Sequence, residues 1–199
     1  MYALVESGTI TKYFAHPKGF VLNNNQYSAD VFTKWSKSEK EAIGLYEVIF
    51  DDTNKKNEKW YTNTDQTFTY DDSAKTVTAT YGTATAKAHA DVTTTINGVD
   101  YTAPGLKTEL IKQLKIEVSN NLAKTDWYVT RKSEKPTAIP SNISTHRDAV
   151  RTKQAEMETA ITNAADTAAL ETLYEVVNTG TEENPVYERP LGELPELES

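Results

Sequence analysis

The chain has 199 residues, of which 38% are hydrophobic and 25% charged, with a formal net charge of -8 and no cysteine. That composition suits one or two globular domains with cores of their own, and it excludes disulfides and thiolate metal sites. The acidic balance argues against a nucleic-acid binder, whose affinity comes from Lys and Arg neutralising phosphates.

No stretch approaches the roughly 20 apolar residues of a membrane span. The first residues also lack the charged-then-apolar pattern of a targeting segment. Synthesis in a cytoplasm, with no membrane partner, is the expectation.

Residues 2 to 103 read as strands. Tyr2 to Glu6 and Thr9 to Ala15 flank Ser7-Gly8, a turn signal, and predict a hairpin. Asn23-Asn24-Asn25 marks a loop. Ser36 or Ser38 caps a short helix with Glu39 and Glu41 in its first turn and Gly44 at its exit. Tyr46, Val48 and Phe50 alternate along the next strand, ended by the polar run from Asp51 to Asn57. Phe68 and Tyr70, then Val77, Ala79 and Tyr81, give a second hairpin around Asp71 to Lys75. A third, Val92 to Tyr101, turns at Asn97-Gly98, the residues of a type I′ turn. The many threonines predict a sheet with one face solvated or facing a partner, and an edge open to strand addition.

After Pro104-Gly105 the period becomes helical. Leu106, Leu110, Leu114, Val118 and Leu122 recur every four residues. A second helix is predicted from Pro140-Ser141 to about Ala164, with Ile143, Val150, Met157 and Ala164 in a heptad seam and Arg147 and Arg151 around it. Such a short seam reads as an antiparallel helix pair within one domain. Asp166 caps a third helix whose apolar face is Leu170, Leu173, Tyr174 and Val177. Residues 178 to 199 are rich in proline and glutamate and keep no period, which predicts an extended acidic tail ordered against a partner. Val186, Tyr187, Leu191, Leu194 and Leu197 are its candidate contacts.

The predicted architecture is therefore α+β. A small antiparallel β-rich domain covers residues 1–103, a helical hairpin or bundle covers 104–178, and the tail covers 179–199.

Between the first two helices lies LAKTDWYVTRKSEKPTAI, residues 122 to 139. Thr125-Asp126 offers caps for a new turn, and Trp127-Tyr128 can bury much apolar area while their polar tips find partners. Asp126, Trp127, Tyr128 and Arg131 are taken as a structural anchor, an aromatic corner locking two helices rather than a ligand-stacking platform. Leu122, Thr125 to Tyr128, Arg131, Glu134, Ile139-Pro140, Arg147 and Val150-Arg151 resemble the C-terminal module of bacteriophage tail-fibre assembly and tail-associated proteins. Met1 to Glu6, Gly8-Thr9-Ile10, Trp35, Glu39 and Glu41 to Leu45 are similar to the N-terminal part of the same proteins. Where that pattern usually has a glycine between Glu134 and Ile139, this chain has Lys135-Pro136-Thr137-Ala138. The resemblance implies a virion tail protein that binds other tail, baseplate or tail-fibre proteins, with a homo-oligomer left open. It names no catalytic residue.

The residues offer little chemistry. His16, His89 and His146 are far apart, with no ligand at metal-binding spacing on the same element. Asp51-Asp52 and Asp71-Asp72 sit beside turn signals, where aspartate is common for local reasons. There is no phosphate-binding glycine loop and no Gly-x-Ser-x-Gly elbow. The expectation is no enzyme, no metal and no cofactor. The reading is a tail adaptor; an assembly chaperone that leaves the particle is the alternative, followed by a carbohydrate-active enzyme of the tail.

Overall fold

The computed structural model describes residues 1–197 as an α+β protein of two compact units, Met1–Thr85 and a second from Ala86 onward. The break falls before the third hairpin, not after it at residue 103 as the composition suggested.

In the first unit, β1 (Tyr2–Glu6) and β2 (Thr9–Phe14) form the expected hairpin. Ser7 and Gly8 at its turn have φ of 51° and 78°, the type I′ pattern that suits the twist of the strands. The pairing shifts between Leu4, opposite Lys12, and Val5, opposite Ile10, a bulge at Thr11 that bends β2. The asparagine loop proves to be a tight turn as well: β3 (Phe20–Leu22) and β4 (Asn25–Tyr27) pair across Asn23 and Asn24, both at positive φ. Two short helices follow, α1 (Asp30–Lys34) and α2 (Lys37–Ala42). Ser36 and Glu39 close a reciprocal capping box on α2. Gly44, at φ 78°, then turns the chain so tightly against β1 that an added Cβ would run into the Val5 carbonyl.

The remaining strands are β5 (Leu45–Asp51), β6 (Tyr61–Thr62), β7 (Gln66–Asp71) and β8 (Thr76–Tyr81). The sheet order is β2-β1-β5-β8-β7. It is mixed rather than purely antiparallel, because β8 lies parallel to β5, Val48 opposite Val77. The segment from residue 52 to 75 makes this geometrically available: it is long enough for a crossover, and it carries β7 to the outer edge of β8.

The outermost strands β2 and β7 approach each other, with the Tyr13 and Phe68 rings 4.7 Å apart, so the sheet curls. Inside the curl lie Ala3, Val5, Tyr46, Val48, Val77 and Ala79. On the opposite face, Leu4 and Leu45 pack with Phe14, Phe20, Leu22, Val31 and Phe32 under the β3–β4 hairpin and α1. Strand β1 and the Leu45 end of β5 are thus covered on both faces, which corrects the one-sided sheet expected from threonine content, although Glu47 and Ile49 farther along β5 are exposed. Strand β7 keeps that pattern, with Thr67 and Thr69 exposed, and β8 follows it with Val77 and Ala79 buried between partly exposed threonines. Each fully buried large apolar side chain contributes roughly 1.5–3 kcal/mol.

A short strand β9 (Thr85–Ala86) spans the junction. The second unit then opens with β10 (Val92–Ile96) and β11 (Val99–Ala103), turning at Asn97 and Gly98, both at positive φ. The Asp91 carboxylate accepts from the Gly105 N–H at 2.8 Å and the Thr108 hydroxyl at 2.6 Å, so it joins the hairpin's base to the start of α3 (Leu106–Ala123). These bonds explain why the hairpin belongs to the helical unit.

Next come α4 (Asp126–Glu134), α5 (Ser141–Asn163) and α6 (Thr167–Tyr174). Lys107 at the start of α3 reaches the Thr162 carbonyl near the end of α5, while Asn121 bonds His146 at the other ends. The two helices therefore run antiparallel. Leu110, Leu114 and Val118 face Ile143, Val150, Met157 and Ile161 between them.

The last stretch is not a free tail. Asp166 caps α6 as expected, accepting from the Ala169 N–H, but Val177 leaves the helix to pair in β12 (Val177–Asn178) with β13 (Tyr187–Glu188). Leu191 is 3% exposed, and its N–H donates to the Leu173 carbonyl at 3.0 Å. Asn121 Nδ2 donates to the Pro195 carbonyl. Residues 189 to 197 run back along the helical unit, and Leu191 enters its core, whereas 179 to 188 are exposed.

Candidate interaction surface

The corner between α3 and α4 is held from outside itself. Arg147 is a cation only 9% exposed, and its Nη1 donates to the Leu122 carbonyl at 2.8 Å, the Thr125 hydroxyl oxygen at 2.7 Å and the Asp126 carboxylate at 2.9 Å. Thr125, fully buried, donates its own hydroxyl back to the Leu122 carbonyl. Its side chain therefore does not cap α4 forward as predicted. Burying a cation costs free energy unless its donors find acceptors, and here the chain's own turn supplies them. Asp126 holds its place in the predicted anchor, but as the acid partner of Arg147.

Trp127 does not hold its place. It is 61% exposed, and no residue of α4 is buried. With Arg147 and Thr125 locking the corner, the indole is not needed to fill it. Arg147 lies four residues after Ile143 and three before Val150, inside the apolar seam rather than beside it. A cation at a seam position was the sequence signal for this role, and the heptad pattern alone did not single it out.

Trp127, Tyr128 and Arg131 share one side of α4, at spacings that bring helical neighbours together. The Arg131 guanidinium sits 5.3 Å from the Tyr128 ring centre and 5.9 Å from that of Trp127. Its Nε–H is shielded from solvent and meets no acceptor, a deficit worth about 1–3 kcal/mol for a buried donor. Trp, Tyr and Arg are the residues most enriched where interfaces carry their binding energy. At this corner Trp127 is exposed and Tyr128 and Arg131 are half-buried.

The tail contacts divide. Val186 and Tyr187 on and beside β13 are exposed, Tyr187 at 68%, and Leu197 is also exposed. Leu194 is half-buried and Leu191 is in the core, so Leu191 is not available to a partner. The packing that orders this segment is intramolecular.

A second apolar surface lies on the β10–β11 hairpin, every residue of which is exposed. The register places Val92, Ile96, Val99 and Tyr101 on one face. On the other face the Thr93 and Thr102 hydroxyls hydrogen-bond each other, and the Thr95 hydroxyl donates to the Asp100 carboxylate. The hairpin is therefore amphipathic, whereas its sequence suggested a threonine surface covering a buried one.

The paired acids are turn residues. The Asp51 carboxylate accepts from the hydroxyl and N–H of Thr53, which holds it below the usual range. Asp71 is lowered by the Ser73 hydroxyl and the backbone of Ala74 and Ser73, and its neighbour Asp72 by Lys75 and Tyr70. Two acids lowered together do not make the opposed pair that general acid–base hydrolysis uses. Tyr70 is pushed up to about 12, first by its hydrogen bond with Tyr46, then by desolvation and Asp72. In the first unit a cleft of about 400 Å³ borders Tyr2, Lys40, Tyr46 and Lys75; Lys75 there is engaged by Asp72 and Lys40 by the Tyr2 ring and hydroxyl. Among the described residues no group of three or more His, Cys, Asp or Glu side chains is placed to hold a metal ion. His146 instead bonds Asn121.

The fold and this surface define an α+β protein with an aromatic, cationic corner. Comparison with protein-family models, with curated proteins and with solved structures finds no match to the chain.

Proposed function

We propose that this chain is a bacteriophage tail-associated adaptor, which joins another tail, baseplate or fibre subunit through protein–protein surfaces. The observation that carries the binding role is the exposed Trp127, stacked with Arg131 on a corner that Arg147 fixes. An aromatic of that size left in water on a rigid support is a ready hot spot, since little ordering entropy opposes its docking. The phage setting rests on the residue patterns at Met1 to Leu45 and at Leu122 to Arg151.

Co-expression with the neighbouring tail genes tests the proposal. A tail protein should co-purify with the wild-type chain and be lost with Trp127→Ala, and mass spectrometry should find the chain in purified virions. Retention of no tail protein would refute the adaptor. Co-purification with absence from virions would assign the departing assembly chaperone instead.

A further inference from the structure

The corner that presents Trp127 has a charge opposite to that of the chain. In a protein of net charge -8, Lys124, Arg131, Lys132 and Lys135 gather on α4 and at its ends. Against them stands one unengaged acid, Glu134, because Asp126 is held by Arg147. Among the described residues none of these four cations forms an ion pair. Arg131 is the most informative: its guanidinium rests over two rings, and its Nε–H donates to nothing. A guanidinium fork matches a carboxylate through two parallel hydrogen bonds, and side-on pairing uses Nε with one Nη. The exposed indole beside it offers an apolar face to whatever carries that carboxylate.

Building on the adaptor reading, we infer that α4 docks an acidic segment of a partner polypeptide. A Glu or Asp carboxylate takes the Arg131 guanidinium, an adjacent aliphatic or aromatic side chain covers Trp127, and Lys124, Lys132 and Lys135 draw the segment in. The side chain of Arg131 lifts off the rings to meet its partner. The stacked position is easily left, since one donor goes unfilled there. A nucleic acid is the less suited occupant: it calls for cations spaced along a backbone, whereas here they surround a single apolar ring.

The test uses the full chain and a short fluorescein-labelled peptide of alternating Glu and Leu, followed by fluorescence anisotropy. Companion probes carry Gln or Lys in place of Glu, and a single-stranded oligodeoxynucleotide forms a separate arm. The Glu peptide should bind, weaken as salt rises, and lose roughly ten- to hundredfold in affinity with Arg131→Gln, whose thermal melt should match the wild type. The double variant R131E/K132E should reverse the preference toward the Lys peptide. Equal binding of the Gln peptide, indifference to Arg131→Gln, or tighter binding of the oligonucleotide would overturn the inference. So would self-association of the chain that Arg131→Gln abolishes, because the occupant would then be a second copy. A co-expressed tail protein lost with Trp127→Ala but indifferent to Arg131→Gln refutes this inference and leaves the adaptor standing. Binding of the Glu peptide without retention of any tail protein does the reverse.

Discussion

Replacing Arg147 with Met keeps most of the aliphatic stem in the α3–α5 seam and removes only the guanidinium. Two of its three acceptors, the Leu122 carbonyl and the Thr125 hydroxyl oxygen, are shielded by the corner, and each bond to them is worth about 1–1.5 kcal/mol. The Leu122 carbonyl keeps its bonds from the N–H and hydroxyl of Thr125, so it is not orphaned. The Asp126 side chain is 60% exposed, and its ion pair adds no more than about 0.5–1 kcal/mol. The sum is about 2–4 kcal/mol, which for a unit of this size lowers the melting temperature by roughly 10 °C. Circular dichroism melts of Arg147→Met and Asp126→Asn measure it: the first should fall by that amount and the second by about a quarter of it. A melt of Arg147→Met within two or so degrees of wild type, or equal losses for both variants, would show that the corner is held by something other than the buried cation.

Trp127→Ala should change stability by less than about 1 kcal/mol, as for a surface substitution, and should sharply reduce acrylamide quenching of tryptophan fluorescence, because Trp60 is buried and Trp35 half-buried. A loss of the 3–5 kcal/mol typical of a core aromatic would mean the indole is not exposed. Gly44→Ala should destabilise the first unit by about 2 kcal/mol or more, since a Cβ there combines a positive φ with a clash at the Val5 carbonyl; an unchanged melt would refute the close approach of the α2–β5 turn to β1. Tyr70 should ionise well above the ordinary tyrosine value. Its folded value lies above the unfolded one, so the stability it contributes is complete below pH 10 and is lost as pH rises through about 12. Ultraviolet difference titration of wild type against Tyr70→Phe would locate that step, and Tyr46→Phe should bring it down; a Tyr70 that titrates near 10 would defeat the assignment.

What was legible in the residues was local. A serine cap on α2, left between Ser36 and Ser38 and resolved by the structure to Ser36, the Asn97-Gly98 turn, the Asp166 cap and the seam of Ile143, Val150, Met157 and Ala164 are each set by groups a few positions apart. Their hydrogen bonds and side-chain periods hold whatever the rest of the chain does. The candidate surface was legible only in its ingredients: Asp126, Trp127, Tyr128 and Arg131 were singled out together, but with Trp127 as the buried member. Its support, Arg147, lies 21 or more residues away from its three acceptors, and no short window of sequence contains both.

By itself, then, the sequence determined the α+β class, the long helices α3 and α5, the Asp166 cap, and the β1–β2, β7–β8 and β10–β11 hairpins, while β3–β4 and β12–β13 went unread. Tertiary structure alone decided that β8 joins β5 in parallel, that the sheet curls until Tyr13 meets Phe68, that Leu191 is core and that Trp127 faces water. The reason is competition. Several strands here share the same threonine-alternating pattern, and several leucines and aromatics could each fill a given gap. Which of them does so depends on loop closures over tens of residues and on the apolar surface left uncovered once everything else has packed.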